Sequence, residues 1–233
     1  RRAKCQNYEI DFDALNNSID DNTKIVYICN PNNPTGIYIE TKKIIKFAKR
    51  TKAIVIVDES GIEFTNKQSI LEHETIPSNI IVLRSFSKAY GLANMRIGYM
   101  CSSKEFKKFY EENTTINEYS GLSVIFAKTM IENYDFVLKN IEIINEEKEM
   151  LIQELKKMGI ETISSSSNTI MSKNTFKEET INKLLQENIS VIKVYDEENK
   201  IHFRIAVQDI NSNKIYIEKM NKIMKEEYWC MTN

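Results

Sequence analysis

Three short polar stretches contain the residues of this 233-residue sequence that could perform chemistry together. Each stretch follows a short apolar run, and their bounds are 30–36, 58–61 and 85–96. The third contains Lys88 in a loop of small residues, and such a lysine can act as a Schiff-base nucleophile when its surroundings favour the neutral amine. Taken alone, Lys88 is more simply a solvated surface lysine, because the chain is rich in lysine.

Asp58 follows the apolar run 53–57, where an unpaired carboxylate would be costly to bury. We therefore expect a cationic partner, and a pyridinium nitrogen is one such cation. A Schiff-base lysine together with an aspartate on the ring nitrogen is what the protein supplies in pyridoxal-phosphate (PLP) enzymes. The alternative is an aspartate that caps a helix or closes a turn.

Ser85, Ser87 and Arg96 form a candidate phosphate site. Two hydroxyls two residues apart, with an arginine eight residues beyond the lysine, could hold a dianionic phosphate through charge-assisted hydrogen bonds. Arg96 could instead belong to an ordinary ion pair.

The hydrophobic pattern predicts an α/β fold that brings these stretches together. Apolar, β-branched runs predict short buried strands at 25–29, 53–57 and 79–83, with another candidate strand at 95–101 and a helix at 40–50. Alternating strands and helices predict a mostly parallel sheet. Ligands of such sheets gather beyond the carboxyl ends of the strands, so the three polar stretches should converge on one site.

The second half of the chain predicts a smaller α+β domain. Apolar residues at helical spacing predict one long helix over 135–158, which Gly159 is placed to cap. Strands at 169–172, 191–194 and 201–207 and helices at 177–188 and 215–227 are expected after it. We place the domain boundary near Tyr134, so that the large domain covers residues 1–134 and the small domain residues 135–233.

The composition excludes several other classes of protein. A net charge of −1, from 32 basic and 33 acidic residues, gives no overall attraction to nucleic acid or to anionic lipid. No apolar run approaches the roughly 18 residues of a membrane-spanning helix. Cys5, Cys29, Cys101 and Cys230 form no CxxC pair, so we expect no metal site and a reducing, cytoplasmic setting.

These residues also resemble a known family. The motifs that carry the resemblance are Asn33-Pro34-Thr35-Gly36, Asp58-Glu59, Ser85-Phe86-Ser87-Lys88, Arg96-Ile97-Gly98-Tyr99 and Phe203-Arg204-Ile205. Their order and rough spacing are similar to those of class I/II aminotransferases, which are fold type I PLP enzymes. The longer stretch 30–36 looks most like the branch of histidinol-phosphate aminotransferases and threonine-phosphate decarboxylases. The resemblance runs from about Tyr8 to the end of the chain.

The resemblance implies a role for each residue. Lys88 would be the internal aldimine lysine and proton carrier, and Asp58 would keep the pyridine nitrogen protonated. Asn33 would hydrogen-bond the ring hydroxyl beside the substrate, and Arg204 would pair with the substrate carboxylate, although a cross-strand ion pair is the alternative for this arginine. The implied phosphate ligands are Ser85, Ser87 and Arg96.

Two features depart from the family pattern. Position 61 is glycine, where family members usually carry an aromatic residue, often a tyrosine that touches the ring hydroxyl. The family's large domain also normally begins well over a hundred residues earlier, so we expect this chain to be the carboxyl-terminal two-thirds of an enzyme.

The expected function is that of a PLP-dependent aminotransferase acting as a homodimer. It would transfer an amino group between a small amino compound and a 2-oxo acid. The amino compound could carry a phosphate. One alternative is PLP-dependent decarboxylation of an O-phospho amino acid, because both reactions use the same lysine and aspartate. A second alternative is a catalytically incomplete fragment of such an enzyme.

Overall fold

The chain forms two compact units, each with its own core. The computed structural model describes residues 5–6, 8–114 and 119–232, with side chains as far as residue 225. Backbone contacts assign Arg1–Asn33 and Ile37–Lys139 to the first unit, and Pro34–Gly36 and Asn140–Asn233 to the second. No helix within the described residues is both long enough and apolar enough to cross a membrane.

The first unit combines short strands with helices, but its last three strands are separated only by short 3₁₀ turns and loops instead of the predicted alternating helices. In chain order its elements are β1 (Cys5–Gln6), β2 (Glu9–Ile10), α1 (Phe12–Asn17), β3 (Ile25–Cys29), α2 (Thr41–Ala48), β4 (Ile54–Asp58), β5 (Ile80–Ser85), β6 (Gly98–Cys101), α3 (Lys104–Asn113), α4 (Gly121–Glu132) and the start of α5 (Tyr134–Lys157). The predicted strands and the helix between the first two of them are confirmed to within a few residues. Tyr134, our predicted domain boundary, is the first residue of α5.

The main sheet of this unit has the order β3-β4-β5-β6. Strands β3, β4 and β5 are parallel, and β6 is antiparallel to β5. The register places Cys29 opposite Asp58 and Asp58 opposite Leu83, so the three parallel strands end at the same edge. The mostly parallel sheet predicted from the sequence is therefore confirmed.

Only one face of strand β3 is buried. Val26 and Ile28 belong to the core that α2 covers, whereas Ile25 and Tyr27 are 56% and 57% exposed. The prediction of a buried strand is therefore confirmed for the face of Val26 and Ile28 and wrong for the face of Ile25 and Tyr27. Within the described residues β3 pairs only with β4 and lies at the edge of the sheet.

The loop after β3 is held by one fully buried side chain. The Asn30 Nδ2 group donates to the Ile39 carbonyl at 2.9 Å, and the Ile39 N–H donates to Asn30 Oδ1 at 2.7 Å. The Asn30 backbone N–H donates to the Asp58 carbonyl at 2.8 Å. This asparagine thus joins the start of the loop, its far end and the end of β4.

The connection between β5 and β6 folds over a buried aromatic ring. Phe86 packs against Tyr90 and Tyr99, with ring centroids 4.8 and 5.7 Å away. Its N–H donates to the Ile97 carbonyl at 3.3 Å, and its carbonyl accepts from the Leu92 N–H at 2.9 Å. Because Phe86 is fixed inward, its polar neighbours in the sequence are presented at the edge of the sheet.

The second unit is a small α+β structure, as the sequence predicts. After α5 it contains β7 (Thr169–Met171), α6 (Glu178–Gln186), β8 (Ile192–Tyr195), β9 (Ile201–Ala206) and α7 (Ile210–Thr232). The strands form an antiparallel sheet in the order β7-β9-β8. Its core includes Leu155, Ile170, Ile181, Leu184 and Phe203, none of which has measurable solvent exposure.

We predict that Gly98→Ala destabilises the first unit. Gly98 lies opposite Ser85, and a Cβ at this position would lie 2.7 Å from the Arg84 carbonyl oxygen. Because that oxygen belongs to the backbone, the β5–β6 pair would have to separate, at a cost of about 1–3 kcal/mol in the free energy of unfolding. Urea denaturation followed by circular dichroism measures the change.

Gly121→Ala is the matched control for this prediction. A Cβ on Gly121 would meet nothing within 4 Å, and Gly121 is the first residue of α4, where alanine favours the helix. Its unfolding midpoint should be unchanged or slightly higher. Equal stability of both variants would contradict the close approach at Gly98.

Candidate active site

The half-buried carboxylate of Asp58, at the end of β4, accepts hydrogen bonds on both oxygens. Its Oδ1 accepts from the Ser60 N–H at 2.9 Å and from the Ser60 hydroxyl. Its Oδ2 accepts from the hydroxyl of Tyr27 on the neighbouring strand. Sequence reasoning assigned no role to Tyr27 or to Ser60. These donors stabilise negative charge on Asp58 and fix the orientation of its carboxylate.

The thiol of Cys29 lies where three strand-end segments come together. Burial and the charge of Asp58 raise the pKa of Cys29, whereas a hydrogen bond from the Asn33 backbone and the charge of Lys88 lower it, with a net rise. The thiol donates to the Pro31 carbonyl at 3.3 Å. Asn33, Asp58 and Lys88, which sequence reasoning grouped into one site, therefore all act on this one thiol.

The β5–β6 loop presents Ser85, Ser87 and Lys88 in sequence. The Ser87 N–H donates to Ser85 Oγ at 3.0 Å, and both serines are half-buried. Lys88 is exposed, and its ammonium makes no hydrogen bond or ion pair within the described part of the chain. The charges of Lys88 and Asp58 both act on the Cys29 thiol, in opposite directions.

Arg96 lies on the return side of the same loop. It is exposed, and its Nη1 donates to the Ala93 carbonyl at 3.1 Å. Its backbone is in the left-handed region, with φ of 50°, which is uncommon for a residue other than glycine. The β5–β6 pairing returns this arginine to the edge that carries Ser85, because Ser85 pairs with Gly98 two residues later.

A buried ion network that sequence reasoning missed joins the ends of β4 and β5. Glu59 is fully buried, and its Oε2 accepts from Arg84 Nε at 3.1 Å and from the Ser69 hydroxyl at 2.6 Å. Arg84 Nη1 donates to Glu63 Oε1 at 3.0 Å, and the Ile70 N–H donates to Glu59 Oε1 at 2.7 Å. Glu59 directly follows Asp58, and Arg84 directly precedes Ser85. The opposite charges of Glu59 and Arg84 at these two strand ends could have indicated the ion pair from the sequence.

The charges of this network are unequal, because two carboxylates surround one guanidinium. Burial raises the pKa of Glu63 more than Arg84 lowers it. Burial lowers the pKa of Arg84, but the two glutamates outweigh it and raise this pKa overall. Glu63 Oε2 is buried without a hydrogen-bond partner among the described residues. The pair Glu59–Arg84 is thus fully satisfied, and Glu63 is the surplus acid.

Residues 1–219 match the model of a family described as aminotransferase class I and II. The chain belongs to this family. One relative, a histidinol-phosphate aminotransferase of Thermoanaerobacter sp. (strain X514), is 34% identical over 227 residues, which cover 94% of this chain and 63% of the relative. The chain spans 61% and 63% of the length of other such relatives from Methanococcus maripaludis and Thermoanaerobacter pseudethanolicus.

Solved aminotransferase-family structures share the fold. A histidinol-phosphate aminotransferase from Sinorhizobium meliloti, in complex with pyridoxal-5'-phosphate, aligns with a TM-score of 0.83 at 19% identity over 93% of this chain and 62% of its own. An L-threonine-O-3-phosphate decarboxylase from Porphyromonas gingivalis aligns with a TM-score of 0.75 at 23% identity over 90% and 67%. At these identities the likeness shows the fold alone, and it confirms the α/β prediction.

Arg204, the substrate residue that the family resemblance suggests, belongs to the second unit. It lies on β9, where Met171 and Ile192 are its partners in the neighbouring strands. The side chain is half-buried, and burial lowers the pKa of Arg204. Its role toward a substrate stays a prediction, as do the roles of the residues in the first unit.

We predict that Arg84→Met strongly destabilises this aminotransferase-family chain. Removing the guanidinium leaves Glu59 and Glu63 buried without their cation, which should lower the free energy of unfolding by about 3–5 kcal/mol. Urea denaturation measures the loss.

Glu63→Gln provides the comparison, because it keeps an acceptor for Arg84 and removes the surplus charge. We expect a change within about 1 kcal/mol. Because folding raises the pKa of Glu63, this residue contributes fully to the free energy of unfolding below its ordinary pKa of 4.5. That contribution is lost as the pH rises through the raised pKa of the folded chain. Glu63→Gln should remove that pH dependence, and a loss as large as that of Arg84→Met would contradict the assignment of Glu63 as the surplus acid.

Proposed function

We propose that this chain carries the catalytic residues of a PLP-dependent aminotransferase. The enzyme would move an amino group between a small amino compound and a 2-oxo acid. The observation that carries the proposal is the register of the sheet: Cys29 pairs with Asp58 and Asp58 with Leu83, so the segments that contain Asn33, Asp58 and Lys88 follow strand ends at one edge. A carboxylate, an amine and an amide would therefore be available to a cofactor at that edge.

The residues at this edge fit pyridoxal phosphate. Asp58 accepts three hydrogen bonds, and a carboxylate has about four lone-pair positions, so it can accept one more from a protonated ring nitrogen. Ser85 and Ser87 offer hydroxyl donors and Arg96 offers guanidinium N–H groups, which suit a phosphate. The Lys88 side chain is exposed, and its amine can attack a carbonyl carbon once it loses its proton.

Each residue would have a separate task. When bound, the cofactor supplies a ring that accepts an electron pair from the substrate. Asp58 would hold a proton on the ring nitrogen, and Lys88 would carry a proton to and from the substrate Cα. Ser85, Ser87 and Arg96 would hold the phosphate, Asn33 would hydrogen-bond the ring hydroxyl, and Arg204 would pair with a substrate carboxylate in bidentate fashion.

The relatives support a phosphorylated amino compound as the substrate. Those from Thermoanaerobacter and Methanococcus are named histidinol-phosphate aminotransferases. The second candidate reaction is decarboxylation of an O-phospho amino acid, supported by the shared fold of the threonine-phosphate decarboxylase. Incubating the full-length protein with histidinol phosphate plus 2-oxoglutarate, or with O-phosphothreonine, distinguishes them: amino transfer supports the first and release of carbon dioxide the second.

We also propose that the full-length enzyme is a cytoplasmic homodimer. Helix α4 exposes a set of large apolar side chains that association with a second copy would remove from water. They are Leu122, Val124, Ile125 and Phe126. The thiols of Cys29 and Cys101, which form no disulfide among the described residues, support a reducing compartment.

Lys88→Ala should abolish covalent attachment of the cofactor and leave the fold intact, because the exposed side chain fills no core volume. The measurement is mass spectrometry of the full-length protein after incubation with PLP and reduction by borohydride, which fixes the cofactor to its lysine. Lys52→Ala, an exposed lysine before the amino end of β4, is the control and should label like the unaltered protein. A Lys88→Ala protein with a normal kcat would contradict the proposed mechanism.

Asp58→Ala should retain some cofactor binding but lower kcat by at least about 100-fold, because the ring nitrogen loses its anionic partner. Steady-state kinetics at saturating PLP separate weak binding from slow chemistry. Undiminished kcat in this variant would assign the ring nitrogen to a different partner.

A further inference from the structure

Tyr27 shares the face of the sheet that carries Asp58. Its backbone pairs with Ile56, and Cys29, two residues later, pairs with Asp58. Side chains alternate along a strand, so Tyr27 and Cys29 project to the same side as Asp58, away from the core that contains Val26 and Ile28. A tyrosine is long enough to reach a diagonal neighbour on the next strand, and its hydroxyl donates to Asp58 Oδ2.

The other donors leave Oδ2 as the oxygen with room for a ligand. Both hydrogen bonds from Ser60 fall on Oδ1, and with about two lone-pair positions per oxygen that atom is fully used. Oδ2 accepts from Tyr27 and has one position left. A further donor on Asp58 would therefore share its oxygen with the tyrosine hydroxyl.

We propose that Tyr27 is a positioning residue, which orients Asp58 and directs the free lone pair of Oδ2 to the ring nitrogen of the cofactor. This inference rests on the proposed PLP chemistry and adds a residue to it. Tyr27 acts only through Asp58, and its ring would touch neither the substrate nor the reacting carbon.

The chemistry of a phenol suits this task. Partial burial, the hydrogen bond to Asp58 and the negative charge of Asp58 all raise the pKa of Tyr27. The hydroxyl therefore stays protonated and remains a donor at any pH near neutrality. Ser60 offers a hydroxyl as well, but it acts on the other oxygen and on its own local turn, so it cannot replace the donor on Oδ2.

The position of Tyr27 also separates this role from a purely structural one. The side chain is 57% exposed and does not belong to the buried core of the first unit. Replacing it with phenylalanine keeps the ring and removes only the donor. We therefore expect Tyr27→Phe to fold with an unchanged unfolding midpoint, which circular dichroism checks.

The test measures cofactor binding by full-length proteins without substrate. The probes are PLP and an analogue that carries CH in place of the ring nitrogen, each titrated by absorbance into the unaltered protein, Tyr27→Phe, Asp58→Ala and the double variant. Tyr38→Phe is the matched control, since the Tyr38 hydroxyl donates to the Gln68 carbonyl at 2.7 Å.

We expect Tyr27→Phe to raise the Kd for PLP about tenfold, as for loss of one hydrogen bond to a charged group, and to leave the Kd for the analogue unchanged. In the Asp58→Ala background the same substitution should have no further effect, and Tyr38→Phe should behave like the unaltered protein. A Tyr27→Phe protein with unchanged affinity for PLP, or with equal losses for PLP and the analogue, would overturn the role of Tyr27. If the unaltered protein fails to bind PLP, the proposed function itself fails, and this inference fails with it.

Discussion

The buried ion pair between Glu59 and Arg84 is the interaction on which the rest of the first unit depends. It joins the ends of two parallel strands, and the residues beside it in the sequence are Asp58 and Ser85. A carboxylate and a guanidinium removed from water are stable only with close partners, so the two strand ends are held in one geometry. The hydroxyl of Ser69 and the N–H of Ile70 complete the partners of Glu59, which fixes the segment after β4 as well. Candidate groups for binding a cofactor and an anion are in this way held at neighbouring strand ends.

Two adjacent acids at the end of β4 have opposite surroundings. Asp58 is half-buried on the face that carries Tyr27 and Cys29, and Glu59 is fully buried among an arginine, a serine and a backbone amide. The pleat of the strand separates them, because successive side chains point to opposite faces. The second acid can therefore stabilise the fold while the first keeps an acceptor position for a ligand.

The sequence predicts most of the strands and two of the candidate site residues, but it does not predict helix α4 or the contacts between strands. Apolar, β-branched runs locate β3, β4 and β5, and the polar residues after them identify Asp58 and Lys88, because both signals depend only on neighbours in the chain. Helix α4 escapes prediction because Leu122, Ile125 and Phe126 face outward, so its apolar residues form no stripe toward a core. The contacts of Tyr27 with Asp58 and of Arg84 with Glu59 depend on strand register, which no local pattern encodes. The boundary at Tyr134 and the roles of the site residues stay predictions.

The antiparallel pairing of β6 with β5 has a consequence for the order in which the chain can fold. Ser85 and Gly98 are separated by far fewer residues than Cys29 and Asp58 or Asp58 and Leu83, which pair across the parallel strands. A short loop closes with a smaller loss of chain entropy than a long one, and local contacts form faster. The hairpin that contains Ser85, Ser87 and Lys88 can therefore form as a local unit before the parallel strands assemble beside it. Its turn and its buried Phe86 then offer a preformed edge on which β4 can find its register.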